Sequence, residues 1–265
     1  MVLGTGMATL IPTNGTAAIE VGNVPGVRIA GVLLQAGFGA SDSLLVVGEA
    51  GYAGDASNPV VLSDVFARVG GTNATGSVQT DKMVTVNTDN TIIDDVWLWR
   101  ADHDEGGLVY DSRNPVTTGL MVNGANVVGY GLAVEHTLGD MLVWNGENGK
   151  SYFYQSEFPY DVTQANYGSQ GYAAYKVADN VQKHDAYGVG AYSYFRDTYV
   201  DVPSGVVCPD RIGVAFHNSL NVFLNGLGGI SHVINDQGGA CDSAQQVNYV
   251  CEYGSIAAAE EEFLQ

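Results

Sequence analysis

Asn123-Gly124-Ala125-Asn126-Val127-Val128-Gly129-Tyr130-Gly131-Leu132-Ala133-Val134-Glu135-His136 and Asn145-Gly146-Glu147-Asn148-Gly149-Lys150-Ser151-Tyr152-Phe153-Tyr154-Gln155-Ser156-Glu157-Phe158 are two copies of one pattern, 22 residues apart with no gap. A third copy precedes them: Asn87-Thr88-Asp89-Asn90-Thr91-Ile92-Ile93-Asp94-Asp95-Val96-Trp97-Leu98-Trp99-Arg100. Each opens on Asn, turns at a second Asn three residues later, and then alternates polar and apolar residues as a strand does. A 22-residue period is short for helical repeats and suits one coil of a β-solenoid.

Working outward, Gly26–Gly37 and Val60–Val69 carry fuller versions of the pattern. Val181–Val189 and Ile212–Ile234 fit it loosely, and Asp102–Pro115 interrupts it as a polar insertion. About seven coils are expected; at a strand spacing of roughly 4.8 Å they make a rod of about 35 Å. The alternation turns Val32, Val65, Val96, Leu132, Tyr154 and Ala186 inward as one row, and Leu34, Ala67, Leu98, Val134, Ser156 and Gly188 as the next. The β-helix is expected over residues 1–238, with 239–265 as a C-terminal tail or cap. Ile256–Leu264 reads as a short helix that would cover the open sheet edge. Met1 leads directly into strand-like sequence, so an N-terminal region ahead of it is expected.

The composition narrows the function. Thirty-five glycines with 15% charged residues fit a turn-rich β protein. The net charge of -19, from 29 acids and 10 bases, argues against nucleic acid and anionic membranes as partners, and against an anionic polymer. A neutral ligand or a cation such as calcium is compatible. Cys208, Cys241 and Cys251 match no zinc spacing, and a Cys241–Cys251 bridge would close a short loop. His184 and His217 have no companions at ligand spacing and read as structural.

The outward residues carry the candidate chemistry. One row is Leu33, Phe66, Trp97, Ala133, Gln155 and Tyr187; its neighbour is Gln35, Arg68, Trp99, Glu135, Glu157 and Val189. Aromatic rings beside amides and carboxylates suit a sugar, whose C–H faces pack on rings while its hydroxyls meet polar atoms. Glu135 and Glu157 fall at equivalent positions of adjacent coils, with backbones roughly 5 Å apart. Two carboxyls that close repel, which raises the pKa of at least one and offers an acid beside a base or nucleophile, as glycoside hydrolysis requires. Such a spacing suits a retaining enzyme. Asp102 or Asp161, placed farther from Glu135, would supply an inverting geometry instead. His103 and Tyr160 fall beside these two aspartates, and His136 follows Glu135 and could orient it. The candidate sugar-contacting residues are therefore Trp97, Trp99, His103, His136, Gln155, Tyr160 and Tyr187. An acidic ladder held by calcium or by water alone has the same spacing.

The coil pattern resembles the pectate-lyase-like right-handed parallel β-helix superfamily. Asp94–His103, Gly131–His136, Phe153–Asp161, Tyr172–Asp179 and Ile230–Asp236 look like a group of secreted microbial β-helix proteins similar to glycoside hydrolase family 55, whose members cleave β-1,3-glucans. The resemblance covers roughly residues 1–238. It implies a single-stranded right-handed parallel β-helix, a polysaccharide or oligosaccharide as partner, an extracellular or cell-surface location and no cofactor, with calcium possible. Family 55 enzymes carry two tandem β-helices with the groove between them, whereas this chain has room for one. No catalytic residue is transferred from the family, and the glutamate assignments rest on the register alone. Three readings stay open: a glycoside hydrolase on a neutral glucan, a polysaccharide lyase using calcium, and a non-catalytic carbohydrate-binding or structural solenoid.

Overall fold

The repeat folds as stacked coils. The computed structural model describes residues 1–72, 76–209, 212, 216–234 and 249–253. Its strands are β1 (Val2–Leu10), β2 (Ile19–Val21), β3 (Arg28–Gln35), β4 (Ser41–Val47), β5 (Val61–Val69), β6 (Thr80–Val86) and β7 (Ile92–Arg100). A small antiparallel hairpin follows, β8 (His103–Asp104) and β9 (Gly107–Leu108). Then come β10 (Thr118–Val122), β11 (Val128–Glu135), β12 (Leu142–Trp144), β13 (Gly149–Glu157), β14 (Tyr175–Val177), β15 (His184–Val207), β16 (Phe216–Ile234) and β17 (Tyr249–Tyr253).

The ladder β1-β3-β5-β7-β11-β13-β15 forms one face, and β2-β4-β6-β10-β12-β14 forms another that ends on the far part of β15. All the pairings within these ladders are parallel, so the fold is a parallel β-helix. The long β15 passes through both faces, and β16 repeats its course. β17 adds to the first face beyond β16. The expected helix over 256–264, Cys241 and its pairing with Cys251 lie outside the described residues, as does the side chain of His217; Cys208 is buried.

The inner rows stack as the alternation requires. Val32, Val65, Val96, Leu132 and Tyr154 are successive partners, as are Leu34, Ala67, Leu98, Val134 and Ser156, and all ten are buried. Burying each large apolar member contributes about 1.5–3 kcal/mol. The two polar members are satisfied: the Tyr154 hydroxyl donates to Ala174 O at 2.7 Å and Ser156 Oγ to Gly190 O at 2.7 Å. The paired asparagines of the repeat hold the corners. Asn90, Asn126 and Asn148 are left-handed, with φ of 57°, 57° and 56°. Asn145 Nδ2 donates to Asn123 Oδ1 at 2.8 Å, Asn123 Nδ2 to Asn87 Oδ1 at 2.8 Å, and Asn87 Nδ2 to Gly48 O at 2.9 Å. Short polar side chains that tolerate a left-handed backbone and satisfy one another from coil to coil explain why both positions are Asn.

One row departs from expectation. From β3 to β15, each strand of the first face is kinked by a left-handed residue at the same position: Gly31, Asp64, Asp95, Gly131, Phe153 and Gly188, with φ from 53° to 65°. The kink breaks the period of two, so a second inward row (Ile29, Leu62, Ile93, Gly129, Ser151, Ala186) lies three residues before the first. Ala186 therefore stacks on Ser151 and Tyr187 on Tyr152, while Val189 pairs with Tyr154 and Tyr192 with Glu157. The expected pairings of Tyr154 with Ala186, Gln155 with Tyr187 and Glu157 with Val189 are three residues out. The slip exchanges one inward position for the other, so hydrophobic pattern alone does not distinguish the two registers. His184 is core, as expected: its Nε2 lies 2.6 Å from the Tyr175 hydroxyl, and burial pushes its pKa down to about 3.

Candidate active site

The ends of β7, β11 and β13 bring Trp99, Glu135 and Glu157 side by side, in the register expected. Glu135 is largely buried, and this raises its carboxyl to about 7; the charges of Glu157 and Asp102 add to the rise, and a hydrogen bond with Trp97 opposes it. Glu157 is held as an acceptor. The Tyr160 hydroxyl donates to its Oε2, and Gln155 Nε2 donates to its Oε1 at 3.3 Å. Burial and this carboxylate together push the Tyr160 hydroxyl above its ordinary range, so it remains a donor.

His136 follows Glu135 in a left-handed conformation, φ 62°, which turns its ring into the body of the helix. Its Nδ1 lies 3.2 Å from Phe158 O, which assigns the proton there and leaves Nε2 as an acceptor. Nε2 faces Glu157 Oε2 at 3.7 Å and Asp102 Oδ1 at 3.9 Å. Burial lowers the His136 pKa despite these two carboxylates, and the ring packs edge-on against Tyr160 at 4.4 Å. Asp102 also bonds His103 Nδ1 at 2.9 Å. Two carboxylates thus face one buried neutral imidazole.

The wall is aromatic. Trp97, 45% exposed, stacks on Phe66 with centroids 4.7 Å apart; Trp99 lies 6.1 Å from Trp97 and 5.2 Å from His103. Beyond Trp97 its row continues with small Ala133 and then Gln155, so the bulk of the wall stops beside Glu135. Tyr160 packs on Tyr194 at 5.0 Å and on Tyr192 at 6.4 Å.

Two expected residues stand elsewhere. Tyr187 belongs to a separate stack, Tyr130–Tyr152–Tyr187, with centroids 5.3 and 5.0 Å apart on the other side of the kink. Asp161 is close to the cluster but committed: Arg100 Nη1 and Nη2 hold its two oxygens at 2.9 Å each, and Ser112 N donates to it at 2.9 Å. Burial pushes its carboxyl up, but the hydrogen bonds and charge of Arg100 outweigh that and hold it below its ordinary value. Tyr192 and Phe66 were not singled out from the sequence. Phe66 lay in the aromatic row beside Trp97, and Tyr192 was hidden by the three-residue slip. Among the described residues no group of three or more His, Cys, Asp or Glu is placed to hold a metal ion, and no helix is long and apolar enough to cross a membrane.

A carboxyl that holds its proton to about neutral pH, beside one fixed as an acceptor, is equipped for general acid–base chemistry on a neutral ligand. Comparison with known proteins places the chain among glucanase relatives. An exo-β-1,3-glucanase of Streptomyces sp. (strain SirexAA-E / ActE) is 45% identical over 242 residues, covering 89% of this chain and 39% of the relative. The structure of sacteLam55A from Streptomyces sp. SirexAA-E superposes with a TM-score of 0.81 at 44% identity, over 88% of this chain and 43% of that one. A glutamate-to-alanine variant of sacteLam55A in complex with glucose gives 0.82 at 43% identity. The chain spans about two fifths of the length of these relatives. The family model of the LAM55 pectate lyase-like domain matches residues 1–157, which include every strand of the first face up to Glu157. The chain belongs to the LAM55 pectate lyase-like domain family, in keeping with its resemblance to glycoside hydrolase family 55.

Proposed function

We propose that this chain carries the acid–base centre of a glycoside hydrolase that cleaves β-1,3-glucan. The observation that carries this reading is the pairing of Glu135, whose pKa is raised to about 7, with the acceptor Glu157 on the adjacent coil. Protonated Glu135 donates to the glycosidic oxygen as the C–O bond breaks, and Glu157 accepts the proton of the attacking water or supports the positive charge developing on the sugar. Tyr160 and Gln155 fix Glu157 by donating to its two oxygens, while Asp102, bonded to His103, adds negative charge on the other side of the neutral His136 ring. Trp97 and Trp99 provide the apolar wall on which a glucose ring packs. The surplus of acidic residues favours an uncharged glucan over a uronate polymer. An insoluble or polymeric substrate places the enzyme outside the cell.

The test is incubation of the chain with laminarin. Release of reducing ends, without the ultraviolet absorbance of an unsaturated product, is expected. An unsaturated product from pectin or alginate would assign a lyase instead, and glycan binding with no release of reducing ends would assign a non-catalytic binding module.

A further inference from the structure

β1 leaves its ladder with β3 between Leu3 and Ala8, and the displaced segment arches over the kink of the first face. Under it lies a cavity of about 460 Å³, within the ~300–1,000 Å³ range of small-molecule sites. Its floor is the kink column: Gly31, then Asp64, then Asp95 on successive coils. Met7 and the stacked rings of Phe66 and Trp97 also line it. Gly31 keeps the floor open, because a Cβ there would come within 2.9 Å of Gly4 O and 3.9 Å of Asp64 Oδ2.

The lining selects a ligand class. Asp64 and Asp95 are exposed and make no hydrogen bond or ion pair among the described residues. Two carboxylates roughly 5 Å apart along the backbone repel an anion. A wholly apolar ligand would desolvate them without compensation. A sugar satisfies both features: ring faces on Phe66 and Trp97, hydroxyl protons to the two carboxylates. Trp97 also ties this cavity to the acid–base centre, since its indole is hydrogen-bonded to Glu135 while its ring borders the cavity.

We infer that this cavity is a distal subsite for glucose units of the same β-1,3-glucan whose scissile bond lies at Glu135. The inference rests on the reading of Glu135 and Glu157 as the cleaving pair. It predicts a preference for longer chains, set by Asp64 and Asp95.

The experiment compares kcat/KM for a β-1,3-linked hexasaccharide and disaccharide in the parent chain and in the Asp64→Gly/Asp95→Gly variant. Glycine suits both positions, each at φ 53° in a column that already holds Gly31 and Gly131. The expected result is about a tenfold fall in the hexasaccharide-to-disaccharide ratio, with a smaller fall in the Asp64→Asn variant, which keeps the side chain and loses the charge. An unchanged ratio in a folded double variant overturns the subsite and leaves the cleaving pair standing. A double variant that does not fold transfers the decision to Asp64→Asn, for which the same unchanged ratio overturns the subsite. A parent chain that cleaves neither sugar overturns the cleaving pair and the subsite together.

Discussion

Arg100 and Asp161 are joined by two hydrogen bonds of 2.9 Å beneath the candidate site, with the arginine side chain fully buried. Arg100 also donates to Arg113 O at 2.7 Å and to His136 O at 3.3 Å. One buried guanidinium therefore ties the end of β7 to the return of the 102–115 insertion, to the turn at His136 and to the segment after β13. Removing either partner leaves a buried charge unpaired, which costs about 3–5 kcal/mol. Asp161→Asn and Arg100→Met should each lower the melting temperature markedly, and the double variant Arg100→Met/Asp161→Leu should be more stable than either. A catalytic Asp161 would instead show a fall in kcat with an unchanged melting curve.

Glu135 predicts a pH dependence. Its folded-state pKa lies above its unfolded one, about 7 against 4.5, so the folded chain holds the proton more tightly. Its contribution to stability is fully present below 4.5 and is lost as the pH rises through 7. Glu135→Gln, neutral throughout, should melt like the parent in acid and above it in mild alkali. In the parent, kcat/KM on glucan should fall as the pH rises past about 7. Equal melting differences at both ends of the range would contradict this assignment.

The asparagine ladder predicts a stability effect separate from the chemistry. Asn123 accepts from Asn145 and donates to Asn87. Asn123→Ala removes both bonds, each worth about 0.5–1.5 kcal/mol. Denaturant unfolding should show a loss of about 1–3 kcal/mol, and an unaltered midpoint would show that solvent replaces the ladder.

Phe153 occupies the kink column with φ 65° and is 65% exposed. A bulky residue there bears about 1–2 kcal/mol of backbone strain. Phe153→Asn, which tolerates that conformation, should raise the unfolding midpoint; a lowered midpoint would mean that the exposed ring packs more favourably than its burial suggests.

The fold was legible because the repeat is written three times with little drift. Gly131-Leu132-Ala133-Val134-Glu135 and Phe153-Tyr154-Gln155-Ser156-Glu157 align without a gap, and that alignment placed Glu135 beside Glu157 correctly. It failed at β15, where two inward positions three residues apart, on either side of the kink, both accept small or apolar side chains. The conformation that creates them is invisible as a period, being filled by Gly, Asp and Phe in different coils. The commitment of Asp161 to Arg100 was equally hidden. The partners are 61 residues apart and meet only after the insertion folds back. Burial and proximity raise the Glu135 pKa; the sequence carried the proximity, in the register, but not the burial.

The most direct test measures initial rates of sugar release from β-1,3-glucan by the parent chain and by Glu135→Gln and Glu157→Gln, each checked for a native melting curve. Loss of a positioned general acid or base costs about 10²–10⁴ in rate. Both variants should fall by at least the lower of these factors while still binding the glucan. Full activity in both would contradict the assignment of this pair as the acid–base centre.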